Sequence, residues 1–169
     1  MIVVSDTNIL GSLAAGDALP SLLRLYARSR LVMPPAVQQE LQTGWQAGAM
    51  QLEPVLQAIQ ANQIEVSDLS AEEELLTYNY PGSLNEGERQ AIAIAQRRKA
   101  TLLCNDQQAI RYCQQRRVNV VNLVAIPRQL WVKNVQAPDE VRSLIERMRQ
   151  VEGLTLSPRQ MTEVFASAE

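Results

Sequence analysis

Five short apolar, β-branched runs recur along this chain, at 2–5, 30–33, 63–66, 101–104 and 118–122. Longer segments of helical periodicity separate them. These cover 9–27 (broken near Gly16 and Pro20), 35–42, 49–61, 84–99 and 107–117. Strand–helix alternation of this kind predicts an α/β protein, with a parallel sheet covered by helices on both faces. Crossovers between parallel strands are right-handed. Ligands of open α/β sheets bind outside the carboxyl ends of the strands.

The pattern changes after Asn122. A short helix is predicted at 125–132. Another follows over 139–152, with Val141, Leu144, Ile145 and Met148 on one stripe and Gly153 as its stop. Ser157 caps a last helix whose first residue is Pro158. The expected organisation is an α/β unit over 1–124 and a helical extension over 125–169. That extension packs on the same unit or on a second copy of the chain. A length of 169 residues is enough for a substantial core.

Composition narrows the chemistry. The chain has no histidine, which removes Ser/His triads, Cys/His dyads and His-ligated zinc. Cys104 and Cys113 are too few for a disulfide scaffold and read as reduced core thiols of a cytoplasmic protein. The chain opens directly on a strand, so no signal peptide is expected. No apolar run is long enough to span a membrane. A net charge of −2 argues against nucleic-acid binding by bulk charge alone. Carboxylates, lysines or metal ions are left to do any catalysis.

The acids can be sorted by helical phase. In "LNEGERQAIAIA", Ala91, Ile92 and Ala95 define the core stripe, and stepping back from it lands on Glu88. Glu86 lies roughly 200° away and points elsewhere. In "PPAVQQELQ", Val37 and Leu41 define the stripe, with Glu40 beside it. In "CNDQQAIRYC", Asp106 continues the stripe of Ala109, Ile110 and Cys113. Asp6 ends the first strand as Asp106 follows the fourth. Each acid also has a plain structural reading, such as a helix N-cap or a favourable dipole contact. If the four converge, their repulsion raises pKa values or demands a cation. Hard oxygen donors suit Mg²⁺ or Mn²⁺.

The segments "VVSDTNIL", "PPAVQQEL", "LNEGERQAIAIA" and "TLLCNDQQAIRYC" resemble PIN-domain ribonucleases, of the kind found as VapC-type toxins. The tail is similar to a branch with extra C-terminal helices. The resemblance implies a three-layer α/β/α sandwich with about five parallel strands in the order 3-2-1-4-5. It implies that Asp6, Glu40, Glu88 and Asp106 are catalytic and hold Mg²⁺ or Mn²⁺. Asn8 supports the first aspartate or an ordered water, and Asn105 is a second supporting residue. Where many relatives read Thr-x-Asp, this chain reads Cys104-Asn105-Asp106, so a hydroxyl is lost there.

The expected activity is metal-dependent hydrolysis of RNA phosphodiesters, leaving a 5′-phosphate and a 3′-hydroxyl. The partners it implies are RNA, an antitoxin protein and a second copy of the chain, and "GSLAAG" reads equally as a close-packed dimer contact or as a simple loop-like helix start. The basic runs Arg97–Lys99 and Arg111, Arg116 and Arg117 read as solvated faces at the wrong edge of the sheet. Trp45 and Trp131 read as core or subunit contacts. Two other functions compete. One is a PIN-like module that binds RNA or protein without cutting. The other is a haloacid-dehalogenase-like phosphatase, whose second acid would fall on Asn8.

Overall fold

The computed structural model describes residues 1–152 and 155–166, so the expected stop at Gly153 lies outside the described residues. Five strands form one parallel sheet: β1 (Ile2–Ser5), β2 (Arg30–Met33), β3 (Glu65–Val66), β4 (Thr101–Leu103) and β5 (Asn119–Val121). Their order is 3-2-1-4-5, with β1 between β2 and β4. The direction of strand addition reverses between β1 and β4, which opens a crevice at their carboxyl ends.

Alternation along the strands builds two cores. Val3, Leu31, Met33 and Leu103 face one side of the sheet, while Val4, Val32 and Leu102 face the other. The first side receives α1 (Thr7–Ala15), α2 (Leu19–Leu25), α3 (Pro35–Gln46) and α4 (Glu53–Gln60), the last preceded by a 3-10 turn at Met50–Leu52. The second side receives α6 (Glu86–Arg98) and α7 (Gln107–Gln115), through Ala91, Ile92, Ala109 and Cys113. Both cysteines are free and buried.

One helix has no counterpart among those expected. This is α5 (Ala71–Tyr78), which carries a complete capping box between Ser70 and Glu73. Glu73 is 2% exposed, and its carboxylate takes two bonds from Arg98, both at 2.7 Å. Arg98 also reaches the Ser67 hydroxyl and the Asp68 carbonyl, and Arg97 pairs with Glu72. Two cations of the 97–99 run are therefore committed to holding α5 on α6.

The C-terminal helices are α8 (Ala125–Val132), α9 (Pro138–Glu152) and α10 (Pro158–Phe165). Ser157 caps α10 by accepting from the Gln160 amide. Ile126, Leu130, Val141, Leu144, Met148 and Val164 join the same core as α1 and α2. Trp131 is half-buried there and donates its indole N–H to the Val164 carbonyl at 2.7 Å. A Cβ on Gly16 would stand 2.5 Å from Met148 Cγ. The "GSLAAG" stretch is thus covered by α9 of its own chain, which corrects its reading as a dimer contact. No described helix is long and apolar enough to cross a membrane.

Candidate active site

Three of the four acids stand where a helix begins, and Glu40 is the exception. Asp6 follows β1 and caps α1, its Oδ1 accepting from the Ile9 amide at 2.9 Å. Asp106 follows β4 and caps α7, its Oδ1 accepting from the Gln108 and Ala109 amides at 2.8 Å. Glu88 closes a capping box at the start of α6: Asn85 Oδ1 accepts from the Glu88 amide, and Glu88 Oε2 accepts from the Asn85 amide. Glu40 comes from the middle of α3, and its Oε2 receives the Thr7 hydroxyl in a short hydrogen bond. Glu86 sits on the far side of the α6 start and takes a bond from Gln90 instead.

Asp6, Glu40 and Glu88 line one cavity of about 20 Å³ with Thr7, Asn8 and Asn85. That is room for about one water or bare ion. Asp106 does not line it, but its charge acts on Glu88. The Asn105 side chain turns away, its Oδ1 accepting from the Leu123 amide at 3.4 Å. Gly87 lets Glu40 approach, since a Cβ there would stand 2.8 Å from Glu40 Oε1. Thr7, Asn85 and Gly87 escape a search for acids by helical phase, because each acts through contacts between separate elements.

Asp6 is 2% exposed, and its Oδ2 is buried without a hydrogen-bond partner. Burial pushes its pKa up. The Ile9 amide, the Cys104 thiol and the Asn105 amide oppose the rise, and the Glu40 charge adds to it. Burial also raises Glu88. Its capping bond to the Asn85 amide opposes this, while Asp106, Asp6 and Glu40 push it higher still. The same surroundings keep Cys104 a thiol: burial raises its pKa, and so does the Asp6 charge. The site thus concentrates negative charge that the fold compensates only in part.

A family model for the PIN domain (DUF3368) matches residues 2–169. The chain belongs to the PIN-domain family. Comparison with curated proteins and with solved structures gives no match. PIN domains are usually nucleases that use divalent metals, and a PIN nuclease domain implies nucleic-acid binding.

The donors of this PIN domain fit a hard divalent cation. All are carboxylate or amide oxygens, and the orphaned Asp6 Oδ2 is a buried acceptor with nothing to accept from. Among the described residues, no three acids stand close enough to make a ready-made metal shell. Mg²⁺ commonly binds through one or two carboxylates and keeps several waters, so a complete shell is not required.

Proposed function

We propose that the chain is a divalent-metal-dependent endoribonuclease acting as the toxin of a VapC-type toxin–antitoxin pair in the cytoplasm. The observation that carries the catalytic part is the Asp6 oxygen. It is buried and unpartnered, on a side chain that lines a cavity with Glu40 and Glu88 at the switch point of the sheet. An antitoxin is the partner this reading implies, and a homodimer is its expected assembly.

When bound, Mg²⁺ or Mn²⁺ supplies charge neutralisation at the phosphate and makes a nearby water more acidic. Asp6 and Asp106 are the residues that would hold it. Glu40 and Glu88 line the cavity with Asp6 and orient water there by accepting hydrogen bonds from it. The raised pKa of Glu88 suits it to take a proton from a water and pass it on. Thr7 fixes Glu40, and the Asn85 amide fixes Glu88, so neither carboxylate must be ordered when substrate arrives. Asn8 lines the cavity from α1 and can orient a water.

The test is cleavage of single-stranded and structured RNA by the purified chain with Mg²⁺ or Mn²⁺. Asp6→Asn and Asp106→Asn should each abolish cutting with the fold intact. Full-rate cutting by either variant would overturn the assignment. RNA binding without cutting under any divalent metal would favour the non-catalytic module. Growth arrest on expression, absent for Asp6→Asn, tests the toxin role.

A further inference from the structure

Many of the chain's arginines are already occupied. Arg30, Arg98 and Arg149 hold carboxylates. Arg128 and Arg147 hold backbone carbonyls, and Arg116 lies over the Tyr112 ring. Two arginines near the acids differ. Arg89 directly follows Glu88 on α6, and its Nε is buried without a partner. It lines a cleft between α5 and α6 with the exposed Tyr78. Arg111 lies five residues past Asp106, about 7.5 Å along α7. Its Nε donates to the Gln107 carbonyl of its own helix, which leaves its terminal nitrogens free. It lines a groove of about 260 Å³ with Ser83, Gln108 and Gln115, whose wall holds no carboxylate.

These two spaces flank the start of α6. Helix α5 follows β3 at one sheet edge, α7 leads to β5 at the other, and α6 packs over the centre. The Arg111 groove reaches Leu84, the residue before Asn85 of the acid cavity. The Arg89 cleft shares Glu86 with a second groove that reaches Glu40. Arg111 therefore stands apart from Arg116 and Arg117, which line a space at the opposite end of α7.

We propose that a single RNA strand crosses the acid site from the α7 groove to the α5–α6 cleft, with Arg111 and Arg89 each gripping a phosphate on either side of the scissile bond. The proposal rests on the ribonuclease reading above. Arg89 lines the cleft without an ion pair among the described residues, so a phosphate there supplies its guanidinium with an anion, and Tyr78 offers a ring on which a base can stack. Glu74 and Glu86 stand in the Arg89 cleft and weaken its field, so Arg111 carries the larger share.

The test uses the full chain with Asp6→Asn to prevent cutting. A labelled single-stranded RNA of about 12 nucleotides is titrated between about 50 and 200 mM salt. Arg111→Gln should weaken binding about fivefold and lower the salt slope by about 0.7. Arg89→Met, which keeps the buried stem, should lower the slope similarly and weaken binding about threefold. Arg117→Gln should change neither. With Asp6 intact, both site variants should raise KM and leave kcat unchanged. Unchanged binding and slope for both variants, in a parent that binds RNA, overturns this path alone. An equal loss from Arg117→Gln means binding by diffuse charge and also overturns it. If neither parent nor wild type binds or cuts RNA, the ribonuclease reading itself falls, and this path with it. Should Arg89→Met fail to fold, the exposed Arg111→Gln decides.

Discussion

Asp6→Asn should stabilise the metal-free protein while ending cleavage. Asparagine keeps the oxygen that accepts from the Ile9 amide. At the Oδ2 position it puts an uncharged NH₂ that can donate toward the cavity carboxylates. Leaving a buried polar group unsatisfied costs about 1–3 kcal/mol. With Asp6 2% exposed, about 2 kcal/mol should be recovered, equivalent to about 4–8 °C in Tm for a chain of this size. The sign with pH follows from the raised pKa. The folded state binds a proton that the unfolded state has already lost, so wild-type stability falls as pH rises from about 4 through the raised value. Above that value the full penalty applies. The advantage of Asp6→Asn should therefore be largest at neutral pH and vanish in acid. Adding Mg²⁺ should raise the wild-type Tm by mass action and leave the variant unmoved. The assay is thermal melting of both proteins at pH 7 and in acid, with and without Mg²⁺. A variant that melts at or below wild type at pH 7 without metal would refute the claim that the Asp6 charge is incompletely compensated.

Gly87→Ala should disturb the site more than the fold. Its Cβ would displace Glu40, while alanine gains about 1 kcal/mol of helix propensity, so cleavage should drop more than about tenfold with Tm nearly unchanged. Glu73→Gln should cost about 2–3 kcal/mol in urea unfolding, below the range for a fully buried pair because Arg98 is 27% exposed and keeps its bonds to Ser67 and Asp68. The Arg98 bond lowers the Glu73 pKa, so this contribution is present at neutral pH and fades as pH falls below about 4 toward the lowered value. Gly16→Val should cost about 1–3 kcal/mol by pushing Met148 and Leu144 off α1, measured as a lower denaturation midpoint.

The strands were legible because two-faced burial makes each a nearly unbroken apolar run. Their order was not, since period and propensity do not say which strands are neighbours; the resemblance supplied it. Helix α5 was missed because its surface is acidic and its apolar stripe short, although Ser70 and Glu73 spell a capping box. Phase analysis picked Glu88 over Glu86, and the fold points them apart as expected. Thr7 and Gly87 were invisible because their roles exist only once α1, α3 and α6 meet. Arg111 was misgrouped with Arg116 and Arg117 because nearness in sequence hid one and a half helical turns of separation.

The acids also show that a structural and a functional reading of one carboxylate need not compete. A carboxylate has two oxygens. Asp6 spends Oδ1 on the start of α1, Asp106 spends Oδ1 on the start of α7, and Glu88 spends Oε2 on the start of α6. Glu40 spends Oε2 on Thr7. Those bonds fix each side chain's direction before any ligand arrives, and in each the second oxygen makes no comparable bond. A helix N-cap is therefore an economical place for a metal-binding acid. The bond that stabilises the helix also removes the rotamer freedom that binding would otherwise have to overcome. Asp6, Glu40 and Glu88 meet at one cavity, and the order 3-2-1-4-5 sets the ends of β1 and β4 side by side, so that the charge of Asp106 also acts on Glu88. Under the proposed function, their mutual repulsion is what a divalent cation would relieve.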